Sequence, residues 1–420
     1  MNLNTKKITN VFRAFRNRNY SLFFSGQSVS QIGSWMQRTG VSWVVYTMTH
    51  SAFMLGLTIF VSQFPSFIFS LLGGIVADRY SRFRVLMATQ IASMIQAALL
   101  ALLVFTRHYT VWEILLLSGV LGVINAFDVP ARQPLIHDMV TDEADLPNAL
   151  ALQSSMANLA RLIGPAISGL VLVKFGAGVC FLLNALSFVA VTISLLLIHL
   201  PAYVPPPVEQ KMKTELSEGL NYLKKTPSIT MILLMLCFTS LLVLPYNTLI
   251  PVFAKEIFKG NAATFGYINS FVGVGAIAGS IFLAALKKDA DLQFILLVNT
   301  IIFGISLLAF SHLVNFPLAM VFFAMSGFGM MSQTTISMTL IQLYSAKEMR
   351  GRVMGFAAMA YFGMLPLGSL LIGTLSQKIG TPTTILCEGI VTLVIAACFS
   401  GFLTSGRRKL KGKNQSNFNN

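Results

Sequence analysis

Long apolar runs separated by short polar loops follow one another along most of the chain. A helix that crosses the hydrocarbon core of a bilayer needs about 20 apolar residues, and the chain supplies twelve such runs. Their limits are 20–46, 52–77, 85–106, 111–136, 146–173, 177–199, 228–254, 261–286, 292–311, 315–344, 352–377 and 381–404. The pattern predicts an all-α integral membrane protein with twelve transmembrane helices.

Only one segment between these runs is long, and it separates the predicted spans into six and six. We predict a first half at 1–200, a linker at 201–227 and a second half at 228–420. Prolines open the linker, and apolar residues at helical spacing follow them: Met212, Leu216, Leu220 and Leu223. The linker is therefore expected to contain an amphipathic surface helix.

The two halves also resemble each other faintly. Gly74 and Gly279, like Leu135 and Leu340, are separated by about 205 residues. With six spans in each half, this spacing fits a parallel internal repeat.

The composition agrees with a membrane location. Of the 420 residues, 55% are hydrophobic and 11% are charged, whereas a soluble protein carries about 25% charged residues. A water-soluble fold is therefore excluded. The net charge of +15 would suggest a nucleic-acid partner in a soluble protein, but a membrane topology explains it here. The four cysteines lie in apolar runs without metal-ligand spacing, so neither a disulfide nor a metal site is expected.

Lysine and arginine are concentrated on one side of the predicted membrane. Both termini, the linker and every second loop carry most of them, and the alternate loops hold only Arg107, Lys174, Lys255, Lys259 and Lys378. Because positive residues favour the cytoplasmic side, we expect both termini in the cytoplasm and the protein in the inner (plasma) membrane. The basic tail at 407–413 is expected to touch anionic lipid. No cleavable signal peptide is predicted, since the first apolar run is too long.

The loop between the second and third spans carries a dense cluster of charge. The string LLGGIVADRYSRFR at 71–84 places Asp78, Arg79 and Arg82 in a tight hairpin, with Gly74 one turn before Asp78. A glycine at that position exposes backbone to which another helix can approach closely. The alternative is an ordinary cytoplasmic hairpin whose arginines only fix the topology.

The fifth span contains the string NLARLIGPAISGL, in which Gly164 and Pro165 weaken the helical ladder and allow a defined bend. This string, the Gly-x-x-x-Asp-Arg pattern at 74–79, DVPARQ at 128–133, EMRGR at 348–352 and NRNYSLFFSGQSVSQIGSWMQR at the first span resemble the major facilitator superfamily. The resemblance runs from about residue 13 to 405. It indicates the branch that contains the enterobactin exporter and several macrolide and multidrug efflux proteins. Ser81 stands where the family often has glycine.

The resemblance implies a major facilitator fold, export rather than uptake, and residues that control the conformational change. Carried over position by position, these gating residues are Gly74, Asp78, Arg79, Arg82, Asp128, Arg132, Gly164, Pro165, Arg350 and Arg352. For Asp128, the alternative to a gating or proton-linked role is an i,i+4 ion pair with Arg132 at the membrane interface.

Polar residues form narrow stripes on two spans. On the first span, an arc of about 60° holds Gln27, Gln31, Ser34 and Arg38. On the fifth span, an arc of about 80° holds Ser154, Asn158, Arg161, Pro165 and Ser168. Lipid satisfies none of these polar groups, so both stripes must face protein or water. The predicted substrate-binding residues of this half are Gln31, Ser34, Arg38, Asn158 and Arg161, and interhelical hydrogen bonding is the alternative.

Fewer polar residues interrupt the second half. Asn247 and Gln333 are its predicted substrate-binding residues, with packing alone as the alternative. Glu388, two turns into the last span, is expected to reach the outer interface. All five histidines lie at span ends, so neither an intramembrane metal site nor a hydrolytic centre is expected.

These features predict a secondary active exporter, most simply a proton-coupled antiporter, that moves a siderophore-like or drug-like compound by alternating access. The chain has no GxxxxGK[ST] pattern, so ATP is not the expected energy source. An uptake permease or lysophospholipid flippase of the same fold is the alternative, and a membrane-embedded enzyme is a remote one. We expect a monomer without cofactor that binds a small-molecule substrate, a proton or other coupling ion and membrane lipid, but no nucleic acid.

The charge on the two stripes suggests the charge of the substrate. Arg38 and Arg161 lie on them, and no carboxylate does. Guanidinium groups in a low-dielectric cavity favour anionic or oxygen-rich ligands and disfavour permanent cations. An ion pair with Asp128 or Glu388 in the folded protein would cancel this preference.

Overall fold

The computed structural model describes residues 12–140, 142–199, 212–287 and 289–418, which form helices and short loops with no β-strand among them. The α-helices are α1 (Arg18–Thr49), α2 (Ala52–Arg79), α3 (Arg82–Phe105), α4 (Val111–Met139), α5 (Leu146–Leu196), α6 (Met212–Lys225), α7 (Pro227–Leu242), α8 (Ala262–Ala284), α9 (Leu292–Ser311), α10 (Phe316–Tyr344), α11 (Arg350–Ala358), α12 (Met364–Ile379) and α13 (Thr381–Phe418). Shorter helical turns are Arg13–Arg16, Glu143–Asp145, Leu244–Leu249, Ile250–Val252, Phe253–Ile257 and Met359–Gly363. The predicted all-α fold is confirmed.

Ten of the described helical stretches are long and apolar enough to cross a bilayer. One of them, Glu143–Leu196, has 54 residues and contains the fifth and sixth predicted spans. The two spans are joined through a kink at Gly176, whose φ of 83° is a left-handed conformation suited to glycine. Helix α1 has 32 residues but is not among the ten, because its polar stripe lowers its hydropathy. Twelve spans are thus consistent with the helices, although apolarity alone identifies ten.

The chain divides into two compact units. The first contains the described residues of Met1–Glu209 together with Pro251–Ser270. The second contains those of Gln210–Ile250 and Phe271–Asn420. The halves and linker that we predict from the sequence remain a prediction, and the grouping of Pro251–Ser270 with the first unit is a feature that the sequence did not indicate.

A glycine contact, an aromatic stack and a hydrogen bond join Pro251–Ser270 to the rest of the first unit. A Cβ placed on Gly266 would lie 2.7 Å from the carbonyl oxygen of Pro165, so glycine allows this close approach to α5. Phe265 stacks on Trp43 with ring centroids 6.0 Å apart. Ser270 Oγ donates a hydrogen bond to the carbonyl oxygen of Leu162 at 3.3 Å.

In each unit, a glycine on one helix allows close contact with the backbone of a neighbouring helix. In the first unit, a Cβ on Gly122 of α4 would lie 2.6 Å from the carbonyl oxygen of Ser62 on α2. In the second unit, a Cβ on Gly327 of α10 would lie 2.8 Å from the carbonyl carbon of Val272 on α8. The two glycines are about 205 residues apart, the interval of the faint repeat. The repeat therefore has a counterpart in helix packing.

Residues 201–211 of the predicted linker lie outside the described residues, and α6 follows them. Glu218 of α6 forms an ion pair with Arg352 of α11 at 2.7 Å. Tyr222 Oη accepts a hydrogen bond from the backbone N–H of Ala346 at 3.0 Å, and Leu223 packs into the apolar core of the second unit. Helix α6 is thus held against the start of α11. The side chains of the basic tail at 407–413 also lie outside the described residues.

Candidate functional site

A polar cavity of about 380 Å³ opens within the first unit. Helices α1, α3, α4 and α5 form its wall. The lining residues are Gln27, Ser30, Gln31, Ser34, Trp35, Gln37, Arg38, Gln90, Ser93, Leu121, Asn125, Asp128, Val129, Arg132, Gln133, Ile136, Leu150, Gln153, Ser154, Ala157, Asn184 and Phe188. A concave site with converging polar groups from several helices is a candidate for binding a small molecule.

Helix α1 contributes its polar stripe to this cavity. Gln31, Ser34 and Arg38, which were predicted as substrate-binding residues, all lie on the wall, and Arg38 is exposed toward the open space. Gln27 and Gln37 are 4% and 2% exposed. The stripe therefore has an accessible part and a buried part.

Gln37, which lies beside the predicted stripe, makes interhelical hydrogen bonds. Gln37 Nε2 donates to Gln96 Oε1 of α3 at 3.0 Å. Asn184 Nδ2 of α5 donates to Gln37 Oε1 at 2.8 Å, and Ser187 Oγ donates to Asn184 Oδ1 at 3.2 Å. This network joins α1, α3 and α5 at the cavity wall.

Trp35 lies next to both arginines of the predicted stripes. The Cζ atom of Arg38 is 5.1 Å from the centroid of the Trp35 ring, and that of Arg161 is 5.2 Å from it. Both distances are within the range of a cation–π interaction, about 6 Å. Neither arginine forms an ion pair among the described residues. Two positive charges are therefore gathered around one aromatic side chain of the cavity wall.

The stripe of α5 is divided between the cavity and the packing beside it. Ser154 lines the cavity, whereas the predicted residues Asn158 and Arg161 are half-buried and lie outside its wall. Arg161 is connected to the site through Trp35. Ser168 Oγ donates to the carbonyl oxygen of Met36 at 3.0 Å and so joins α5 to α1.

Asp128 is a buried carboxylate whose charge is compensated. One oxygen accepts hydrogen bonds from Thr89 Oγ1 at 3.0 Å and Gln90 Nε2 at 2.6 Å. The other oxygen forms an ion pair with Arg132, one turn further along α4. The i,i+4 pair considered from the sequence is present, and it lies in the cavity wall. Among the described residues Asp128 pairs with neither Arg38 nor Arg161.

Helix α3 carries a polar stripe that the sequence analysis missed. Its members are Thr89, Gln90, Ser93 and Gln96, each less than 8% exposed. Their spacing places them on one helical face, the same signal that identified the stripe of α1. Trp35 had no comparable signal, because a tryptophan in an apolar helix is more often packing or an interfacial anchor.

The two predicted site residues of the second unit are engaged in packing. Gln333 is fully buried and donates through Nε2 to Thr239 Oγ1 at 3.4 Å. Asn247 is half-buried and donates through Nδ2 to Met330 Sδ at 3.6 Å. In this conformation Gln333 offers no accessible surface to a substrate, and a binding role for it remains a prediction.

The loop between α2 and α3 corrects one expectation. Gly74 was expected to allow a close helix contact, but a Cβ there would have no atom within 4 Å. The neighbouring Gly73 makes that contact, since its Cβ would lie 3.2 Å from Cα of Phe127 and against the carbonyl of Ala126. Adjacent helical residues point about 100° apart, so only one of two consecutive glycines can face α4.

The charged gating residues differ in their exposure. Asp78 and Arg79 are exposed. Arg82 Nη1 lies 3.8 Å from Asp138 Oδ2 at the end of α4. In the second unit Arg352 pairs with Glu218, and Arg350 is half-buried.

Two predicted gating residues of α5 lie in tight packing. A Cβ on Gly164 would lie 2.5 Å from Cβ of Trp35, so α1 and α5 approach closely beside the two arginines. Pro165 is buried within the helix. The dihedral angles of α5 leave the helical region at Gly176 and not at Pro165. A bend at Pro165 remains a prediction, since a proline can bend a helix while its dihedral angles stay helical.

Glu388 was expected at the outer interface, and that expectation is wrong. The residue is 2% exposed, because α13 turns it toward the interior of the second unit. No group of three or more His, Cys, Asp or Glu residues able to hold a metal ion occurs in the part of the chain that the structure describes.

The helices and the polar cavity define a multi-pass membrane transport protein. The chain belongs to the transmembrane secretion effector family of the major facilitator superfamily, whose family model matches residues 9–417. Members of this family and the relatives found are membrane transporters and not enzymes. The resemblance drawn from the sequence motifs is confirmed.

Curated relatives cover almost the whole chain. The staphyloferrin A transporter of Staphylococcus aureus is 28% identical over 397 residues, which are 93% of this chain and 97% of the relative. The enterobactin exporter of Escherichia coli O139:H28 is 24% identical over 414 residues, 97% of this chain and 95% of the relative. The crystal structure of the nucleoside transporter NupG superposes with a TM-score of 0.71 at 14% identity, covering 92% of this chain and 99% of that one. This last similarity shows the fold alone.

Proposed function

We propose that this protein is a secondary active exporter of the inner membrane that moves an anionic or oxygen-rich small organic compound outward by alternating access. The observation that carries the proposal is the pair of arginines around Trp35 beside an open polar cavity. Both termini are then cytoplasmic, as the distribution of Lys and Arg favours. A proton gradient is the proposed source of energy.

The charge balance of the cavity supports the anionic substrate. Three arginines lie at or beside its wall, and Asp128 is the carboxylate among the lining residues. Because Asp128 pairs with Arg132, it leaves Arg38 and Arg161 uncompensated. A carboxylate placed about 4 Å from a guanidinium gains on the order of 4 kcal/mol at the effective dielectric of a protein surface. A permanent cation would meet repulsion from the same two groups.

The neutral lining residues favour an oxygen-rich ligand. Gln31 and Ser34 of α1 and Gln153 and Ser154 of α5 line the cavity. Their amide and hydroxyl groups donate hydrogen bonds to oxygen acceptors. The names of two relatives refer to staphyloferrin A and enterobactin. We therefore place a siderophore-like compound first and a drug-like compound second.

Transport by everted membrane vesicles tests this proposal. Matched pairs of anionic and cationic compounds are offered to wild-type vesicles, and collapse of a preformed pH gradient and accumulation of compound are measured. Arg38→Gln and Arg161→Gln are compared with wild type. Arg107→Gln is the control, because Arg107 is an exposed arginine outside the cavity.

The expected result is export of anions with a KM raised at least about tenfold in each cavity variant, equivalent to about 1.4 kcal/mol. Arg107→Gln should behave as wild type. Equal export of cations and anions by wild type, unchanged in both cavity variants, would contradict the anionic preference. Accumulation in right-side-out vesicles alone would indicate uptake, and movement of lysophospholipid alone would indicate a flippase.

A further inference from the structure

We propose that Glu388 is a proton-binding site in the second unit, and that loss and gain of its proton accompany transport. The ligand is a proton exchanged with water. The first part of the proposal stands on the surroundings of Glu388 alone, whereas the coupling to transport rests on the proposed function.

Glu388 is enclosed without a hydrogen-bond partner. It is 2% exposed, and neither Oε1 nor Oε2 has a partner among the described residues. Thr384 and Thr392 lie one turn away on the same face of α13 and are fully buried. Their hydroxyls donate to the backbone carbonyls of Gly380 at 2.8 Å and Glu388 at 2.6 Å. These donors are therefore used by the helix itself and do not hold the carboxyl group.

Among the described residues, no opposite charge on the elements packed against α13 pairs with Glu388. Helices α7, α9 and α12 and the turn Leu244–Leu249 pack against α13. Six other titratable groups lie on these elements, within Thr381–Thr404 of α13 or directly after the C-terminal end of α9. They are Cys237, Tyr246, His312, Lys378, Cys387 and Cys398.

The members of this set that could donate a hydrogen bond or carry a positive charge to Glu388 are engaged elsewhere or exposed. His312 Nδ1 lies 3.1 Å from Ser311 Oγ, and Tyr246 Oη lies 3.1 Å from Ser326 Oγ. Lys378 is exposed near the end of α12. Among the described residues none of them forms an ion pair with Glu388.

An uncompensated carboxylate in this setting is costly. Burying an unpaired ionised group costs several kcal/mol, and a proton removes that cost. Acidic side chains within membrane helices are rare and mark proton or ion pathways. Glu388 therefore carries a proton in this conformation. Asp128 is the opposite case, because Arg132, Thr89 and Gln90 already compensate its charged form.

Release of the proton requires a change around α13. The ionised carboxyl needs water or a cation, and Glu388 is enclosed in this conformation. The α9–α13 contact is built on small residues: a Cβ on Gly389 would lie 2.8 Å from Leu308 Cδ2, and one on Gly304 would lie 2.9 Å from Leu393 Cδ2. Glu388 is seven residues after Thr381, about 10 Å along the helix axis. Opening of this end of the contact would admit water, so the ionised form favours a conformation other than this one.

Infrared spectroscopy tests the proton site directly. The full-length protein is reconstituted in lipid at neutral pH, and the carbonyl stretch of protonated carboxyl groups is recorded for wild type, Glu388→Gln and Glu388→Met. Glu113→Gln is the control, because Glu113 is an exposed carboxylate that caps α4. We expect a protonated-carboxyl band that both Glu388 variants lose and Glu113→Gln keeps. Its absence from wild type, or its persistence in a Glu388 variant, would overturn the site.

Transport of staphyloferrin A in proteoliposomes tests the coupling. Exchange without a gradient is compared with accumulation driven by a pH gradient. We expect Glu388→Gln to retain exchange and to accumulate at least tenfold less under the gradient. Gradient-driven accumulation equal to wild type would overturn the coupling. If wild type neither exchanges nor accumulates the compound, the proposed substrate fails, and the infrared result still decides the proton site.

Discussion

Replacing Asp128 by Asn tests whether the cavity depends on one compensated charge. The substitution keeps an oxygen that can accept from Thr89 and Gln90, but it places an amide N–H₂ against the Arg132 guanidinium. Two donors then face each other, and Arg132 loses its counter-charge. The isosteric change alters charge and hydrogen bonding without altering volume, so the effect reports the ion pair.

The size of the effect follows from burial. Removing one partner of a fully buried ion pair costs about 3–5 kcal/mol. Arg132 is not sealed from the cavity, because its side chain is 24% exposed, whereas that of Asp128 is 3% exposed. We therefore expect Asp128→Asn to lower the free energy of unfolding by about 2 kcal/mol. Arg132→Gln should cost a similar amount, since it leaves a buried carboxylate without its cation.

A double-mutant cycle isolates the pair. Wild type, both single variants and the Asp128→Asn/Arg132→Gln double variant are unfolded by SDS titration in mixed micelles and followed by tryptophan fluorescence. The double variant contains no net charge, and we expect a coupling energy of about 1.5–2 kcal/mol. The pair Arg82–Asp138, at 3.8 Å and more exposed on the acid side, is the matched control and should couple by less than about 1 kcal/mol.

The outcome of the cycle is decisive in either direction. Coupling below about 0.5 kcal/mol, the usual error of additivity, would refute the inference that Asp128 compensates Arg132. The charge balance proposed for the cavity, in which Asp128 compensates Arg132 and not Arg38 or Arg161, would then be wrong as well. Coupling equal to that of the Arg82–Asp138 control would contradict the importance of burial.

Two further substitutions test the backbone contacts. Gly73→Leu should reduce the yield of folded protein, because the new Cβ would meet the carbonyl group of Ala126. Gly74→Leu should fold normally, because a Cβ there has open space around it. Equal yields of the two variants, measured by size-exclusion chromatography, would contradict the packing of α2 on α4. Gly176→Ala should lower the free energy of unfolding by about 1–2 kcal/mol and with it the melting temperature, because φ at this position is 83°. Gly351→Ala, at an open helical position, should not lower it, and an unchanged melting temperature for Gly176→Ala would show that the kink tolerates a side chain.

The sequence alone determined the class and the family. The length of an apolar run reports directly whether a helix can cross a bilayer, and this property needs no knowledge of neighbouring helices. Local strings such as the one at 71–84 carried the family resemblance because they keep their spacing within one chain segment. Periodicity also placed Gln31, Ser34 and Arg38 on one face of α1, and this face is the one that lines the cavity.

Tertiary structure decided which polar residues share a site and which charges are compensated. Periodicity gives the direction of a side chain around its own helix axis, but it does not say which helix lies opposite. Thus Thr89 and Gln90 of α3 reach Asp128, and Trp35 is close to two arginines from different helices. Neither arrangement follows from the spacing within a single segment.

The same limitation explains why Gly74 and Glu388 differ from expectation. Gly73 and Gly74 are equivalent in the sequence, and only the position of α4 makes Gly73 the contact residue. Glu388 lies two turns from the outer end of the last span, and this position suggested the membrane interface. The burial of a side chain depends on the helices that surround α13 and not on the distance of the residue from the end of the span. Charge compensation and burial are properties of neighbours, and neighbours are set by the packing of helices that are far apart in the chain.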